Sequence, residues 1–121
     1  MQPRKPHRIL QVNALLKDLF SAIINQELEI PEGVIITVTD AKTSRDLRHA
    51  KIGISIYPKE QSESIFLLIR RRLKTLQYQT HQSLILKYAP KIFVYLDTSQ
   101  DRVNELEEVL NRIRQKNSNT S

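Results

Sequence analysis

Between Lys51 and Tyr57 the chain alternates without a break, with Ile52, Ile54 and Ile56 on one side and Lys51, Gly53 and Ser55 on the other. A period of two in β-branched residues makes a strand, and a strand that is apolar on one side only is half-buried in a sheet. Val34 to Asp40 also alternates and is β-branched, which gives a preceding strand. Thr43-Ser44-Arg45-Asp46 supplies turn chemistry between the two, and so short a connection favours antiparallel pairing. Lys91 to Leu96 reads as a third strand, introduced by Pro90, which biases Ala89 toward extended geometry.

The remaining periodicity is helical. From Arg8 to Gln26, Ile9, Val12, Leu16, Leu19 and Ile23 recur at spacings of three and four, and Pro31 and Gly33 block continuation. Ser62 suits an N-cap for a helix whose stripe is Ile65, Ile69, Leu73 and Leu76, followed by the polar stretch Gln77 to Ser83. Thr98-Ser99-Gln100-Asp101 matches an N-capping pattern and opens a helix expected to be buried through Val103, Leu106, Leu110 and Ile113. Residues 117–121 carry no apolar side chain and read as a disordered tail, leaving 1–116 as one domain. The order is α-β-β-α-α-β-α, an α+β fold with a three-stranded sheet packed against helices.

Composition removes most catalytic classes. A chain of 121 residues fits a single domain, and the absence of cysteine excludes disulfides, thiolate metal sites and cysteine nucleophiles. Two glycines, Gly33 and Gly53, cannot write a phosphate-binding loop or a dinucleotide fingerprint. His7, His49 and His81 have no histidine three or four residues away, so no helical metal pair forms. Asp40, Asp46 and Asp97 lie at strand ends, where active-site carboxylates and turn residues both occur; the turn reading is preferred. The longest apolar run, Ile65 to Ile69, is far short of a membrane span. The chain reads as a soluble cytoplasmic protein that is not an enzyme, with no cofactor, metal or membrane.

Charge points to a partner. Lysine and arginine total 19 against 13 aspartates and glutamates, a net charge of +6. Residues 98–121 balance four basic against four acidic side chains, so the whole excess lies before them, at 15 against 9. A basic body suggests a polyanion, most often nucleic acid. Three groups concentrate the charge: Arg4, Lys5 and Arg8 at the start; Arg45, Arg48 and Lys51 around the turn; Arg70, Arg71, Arg72 and Lys74 along the second helix. Guanidinium forks suit phosphate oxygens. Tyr57, Tyr78, Tyr88 and Tyr95 are the candidate stacking groups, too few to favour base-by-base reading.

The run from Val38 to Ile56 resembles the signature of the ribosome-binding factor A family, T-D-V-x-x-S-x-D-L-x-x-A-x-V-x-V-S. Asp46, Leu47, Ala50, Lys51 and Ser55 fall on its key positions. The stretch from Arg8 to Leu16 resembles the family's first helix, and Pro90-Lys-Ile-Phe-Val-Tyr-Leu-Asp97 its third strand. The likeness spans about residues 4 to 114 in the right order. It implies a type II KH-like domain. It also implies a non-enzymatic assembly factor that binds the small (30S) ribosomal subunit and its 16S rRNA during late maturation and rRNA processing, here as a monomer. The ten basic residues of the three groups are the candidate RNA contacts. The rival readings are a KH-like RNA-binding module with another RNA client and a protein-interaction domain whose positive charge merely aids solubility.

The family's Ala-x-Gly between its two central helices would fall near Arg72-Leu73-Lys74, where this chain has no glycine. An unbroken helix from Ser62 to Tyr88 would run to about 40 Å and carry Pro90 away from the sheet. A break is therefore expected between Leu73 and His81, with Leu76 and Leu84 packed on either side of it.

Overall fold

The computed structural model describes residues 6–84 and 90–118. Helix α1 (Pro6–Glu27) leads to strands β1 (Ile35–Thr43) and β2 (His49–Tyr57). Helices α2 (Ser62–Arg71) and α3 (Leu73–Ser83), strand β3 (Lys91–Leu96) and helix α4 (Ser99–Ser118) follow. The element order is the expected one. The sheet runs β1-β2-β3, with β1 antiparallel and β3 parallel to β2.

The first strand outlasts its sequence pattern because it contains a bulge. Val38 pairs with Ile54 and Asp40 with Gly53, which leaves Thr39 without a partner of its own. The extra residue resets the alternation, so Ile36 and Val38 before it and Ala41 and Thr43 after it are all buried. Alternation fails locally at Thr39-Asp40, which is why periodicity alone ends the strand there.

All three strands present one face to the helices. Ile52 and Ile54 are fully buried and Ile56 nearly so, as their spacing predicts. Along α1, Val12, Leu16, Phe20, Ile23 and Ile24 are buried, while the expected Ile9 and Leu19 lie at the margins of the stripe. β3 is fixed at both ends, by Lys91 N–H donating to the Arg48 carbonyl (2.8 Å) and Asp97 N–H to that of Ile54 (2.7 Å). From α3, the Gln77 side-chain oxygen accepts the Ile92 N–H at 2.9 Å, and His81 Nε2 lies 2.8 Å from the Pro90 carbonyl oxygen.

The break between α2 and α3 forms without glycine, at Arg72, one residue before the expected interval. Arg72 has φ −97° and ψ 7°, in the bridge region open to any L-residue. Its N–H is shared between the Leu68 and Ile69 carbonyls at 3.1 and 3.2 Å, and its carbonyl accepts from Leu76 at 3.0 Å. One residue leaves the helical region while the ladder continues around it, so no left-handed φ is needed. Leu76 is fully buried and Leu84, already extended, is half-buried. Ser62 is not an N-cap; it is the first helical residue, and its hydroxyl donates to the Lys59 carbonyl at 2.7 Å.

The last helix departs most from expectation. Leu106, Leu110 and Ile113 are 59%, 42% and 50% exposed, not buried. The helix-bearing face of the sheet is already filled by α1, α2 and α3, and α4 leaves β3 after only two residues. Glu105 is tied to Lys59 at 3.0 Å. Asp97, rather than Thr98, accepts at its start: Oδ1 takes the Ser99 N–H at 3.0 Å and hydroxyl at 2.6 Å. The Val103 side chain, residues 85–89 with Ala89 and Tyr88, and residues 119–121 of the expected tail lie outside the described residues; α4 itself continues through Ser118.

Candidate nucleic-acid interface

The β1–β2 turn is built by Ser44, Asp46 and Leu47. Ser44 N–H donates to the His49 carbonyl at 2.8 Å, and Leu47 N–H to that of Ser44 at 2.9 Å. Asp46 Oδ1 accepts the Ser44 hydroxyl at 2.6 Å and the Arg48 N–H at 3.1 Å. Leu47 sits at φ +59° yet is only 3% exposed. A non-glycine residue there costs about 1–2 kcal/mol, and burying a leucine returns about 1.5–3 kcal/mol. The side chain therefore plugs the core and holds the strained turn, and Arg45 and Arg48 are left exposed on either side.

The Ser44 hydroxyl, then the Arg48 amide, hold the Asp46 carboxyl below its ordinary value of 3.8. Because the folded-state value is depressed, the stability this carboxylate contributes is complete above about pH 4 and lost as pH falls through the folded-state value. Asp46→Ala should therefore lower stability at about pH 6 by more than at about pH 2, read from urea titrations at each pH. An equal loss at both would show that the ionised form contributes nothing.

The cationic residues form two groups rather than one patch. Arg70 and Arg71 end α2, Arg72 occupies the bend and Lys74 lies in the first turn of α3; all four are exposed. Arg72 shares a depression with Glu27, Leu28 and Glu29, at the end of α1. The turn lies toward the other end, where Asn13 Oδ1 accepts the Thr43 N–H at 2.8 Å. Asn13 to Leu28 is about 22 Å along a helix at 1.5 Å per residue. Arg8, exposed in α1, belongs to the turn's end, while Arg4 and Lys5 lie outside the described residues. Among the described residues, none of these basic side chains is within ion-pair distance of a carboxylate.

Lys51 belongs to a third surface, the sheet face turned away from the helices. Lys42 pairs with Lys51, and Lys51 with Phe93, making one transverse row; His49 pairs with Lys91 along the next. The His49 and Phe93 rings are 5.9 Å apart at 32°, and Lys91 Nζ lies 5.5 Å from the Phe93 centroid. A depression of about 570 Å³ opens there, lined by Lys42, Ser44, Arg45, His49, Lys51 and Phe93. Like charges directly opposite across strands are destabilising, by about 0.2–1 kcal/mol. No carboxylate among the described residues offsets Lys42, Lys51 or Lys91.

The far end of this face has the opposite character. A Cβ on Gly53 would lie 2.7 Å from Tyr95 Oη and 2.8 Å from Thr39 Oγ1, so glycine lets the ring approach the backbone. Thr39 Oγ1 donates to Asp97 Oδ2 at 2.7 Å. Partial burial, then Asp40 and Asp97, push the Tyr95 phenol above its ordinary value. Lys42, Lys91 and Phe93 do not stand out in the sequence as site residues, and His49 is weighed there only as a metal ligand. The alternation of Lys91 to Leu96 puts Phe93 and Tyr95 on one side, but only the parallel register sets Phe93 beside Lys51.

Among the described residues, no three His, Asp or Glu side chains are grouped to hold a metal ion, and no helix is long and apolar enough to cross a membrane. The chain resembles the ribosome-binding factor A of Protochlamydia amoebophila, at 31% identity over 85% of this chain and 80% of that protein. That of Chlamydia abortus is 30% identical over 93% and 96%. The crystal structure of ribosome-binding factor A from Thermus thermophilus superposes with a TM-score of 0.63 at 15% identity, covering 73% of this chain and 94% of that one, a likeness of fold. With the pattern of ribosome-binding factor A matched from residue 8 to residue 110, and the Asp46-Leu47 turn shaped as described, the chain belongs to the ribosome-binding factor A family.

Proposed function

We propose that the chain is a ribosome-binding factor that docks on the small subunit through 16S rRNA and assists its late maturation. It acts as a cytoplasmic monomer without chemistry of its own. The observation that carries this is the family match over residues 8–110, joined to two exposed cationic ends whose described side chains have no carboxylate within ion-pair distance among the described residues. Arg8, Arg45 and Arg48 at one end and Arg70, Arg71, Arg72 and Lys74 at the other contact phosphates about one helix length apart. Such a spacing suits the backbone of a folded RNA better than a single phosphate. Arg4 and Lys5 extend the first of these ends.

Co-sedimentation with isolated subunits tests the reading. The protein is expected to travel with small subunits and not large ones, and log affinity to fall with log salt by about 0.7 to 0.9 per phosphate neutralised. Equal affinity for small subunits and unrelated single-stranded RNA would favour a general RNA-binding module. Indifference to RNA at low salt would overturn both.

A further inference from the structure

We infer that the uncovered face of the sheet is a stacking site for one unpaired base of a single-stranded RNA segment, seated on Phe93 beside His49. Lys42, Lys51 and Lys91 hold the phosphates that flank the base. The inference rests on the reading that this chain binds RNA, and it adds a contact on the face opposite the helices.

Three observations converge on this face. Phe93 is 44% exposed and lies in the depression of about 570 Å³, on the sheet face that no helix covers among the described residues. A benzene ring held in a strand is a flat platform that accepts any base, because every base has a π-face. Its neighbours are cationic: Lys51 is its partner across the strand, Lys91 Nζ lies over the ring at 5.5 Å from the centroid and must swing aside to a phosphate when a base takes that face, and Lys42 is one strand further. Three lysines with no carboxylate in ion-pair distance among the described residues, around an exposed aromatic ring, match a ligand that is an anion and an aromatic at once. A nucleotide has both parts.

The same face also sets a direction. Asp40 and Asp97 beside Tyr95 repel phosphate at the other end of β3. The RNA backbone therefore leaves over Lys42 and Lys51 toward Arg45, which lines the same depression. That path joins this contact to the turn already assigned to phosphates.

The competing occupant is α4, whose exposed Leu106, Leu110 and Ile113 follow β3 in the chain. Its charges are mixed rather than anionic, which does not answer the three lysines.

The test uses the full chain and a hexanucleotide of uridine, with a second probe carrying an abasic sugar at every position. Phe93→Ala is expected to weaken hexanucleotide binding roughly 5- to 150-fold, the range for stacking one base. Phe93→Trp should restore binding. Phe93→Leu, which keeps the apolar cover without a π-face, should behave as alanine. The abasic probe should bind the parent and Phe93→Ala alike, and Lys42, Lys51 and Lys91 changed to glutamine should reduce the salt slope. Unchanged hexanucleotide affinity in Phe93→Ala would overturn the site, whether or not small subunits are still bound. Nuclear Overhauser contacts between the Phe93 ring and the Leu110 or Ile113 methyls in the free protein would also overturn it, in favour of α4. Loss of small-subunit binding by the parent, with the Phe93 effect on the hexanucleotide intact, would sink the proposed client and keep the site.

Discussion

Replacing Arg70, Arg71 and Arg72 together by glutamate is expected to abolish binding to small subunits while the protein stays folded. Each phosphate contact contributes most of a decade in affinity at about 0.1 M salt through counter-ion release, so three lost contacts cost roughly 10²- to 10³-fold. Repulsion by the three new carboxylates adds to that. The fold should tolerate the change because all three side chains are exposed. Arg70 and Arg71 end α2, where cations favour the helix dipole. Reversing them should cost about 1–2 kcal/mol in all, a drop of several degrees in the thermal melt. Arg72 holds the bend with backbone dihedrals that glutamate adopts equally well. Sedimentation at two salt concentrations, with circular dichroism of the same samples, separates the effects. Unchanged affinity would remove the α2–α3 end from the interface and leave the turn's end and the sheet face beside it to hold the RNA.

Phe20→Ala is expected to have the largest effect on the fold. Phe20 is fully buried in the middle of α1, among a core that includes Leu16, Ile24, Ile52 and Ile54. Truncating a buried phenylalanine costs about 3–5 kcal/mol, the sum of lost transfer free energy and the cavity left behind. A domain of this size has about 5–15 kcal/mol in total. The melting temperature should fall by roughly 15–25 °C, and the variant should be partly unfolded at 37 °C. Leu110→Ala makes the informative contrast. Leu110 is 42% exposed, so its truncation should move the midpoint by no more than a few degrees. A loss near that of Phe20→Ala would mean that α4 is packed in solution, as its sequence suggests, and would count against the open sheet face as a binding site.

What the sequence determined by itself is what local periodicity can carry. The isoleucines of β2 and the core residues Val12, Leu16 and Ile23 of α1 were readable because their spacing repeats within one element. The turn was readable because Asp46 bonds to residues only two positions away on either side. Tertiary structure decided everything that depends on what lies opposite. The bulge at Thr39 carries β1 on to Thr43 because Gly53 and Ile52 remain there to pair with it. Arg72 takes the bend because α3 must return toward Pro90 and Ile92, contacts made by His81 and Gln77. The apolar stripe of α4 looks like a core stripe in sequence, but the sheet face it would need was already filled by three earlier helices. The same competition leaves the opposite face bare, and the parallel pairing of β3, some forty residues from β2, sets Phe93 between Lys51 and Lys91. Periodicity tells a residue which side of its own element it occupies; only packing decides whether that side meets protein or solvent.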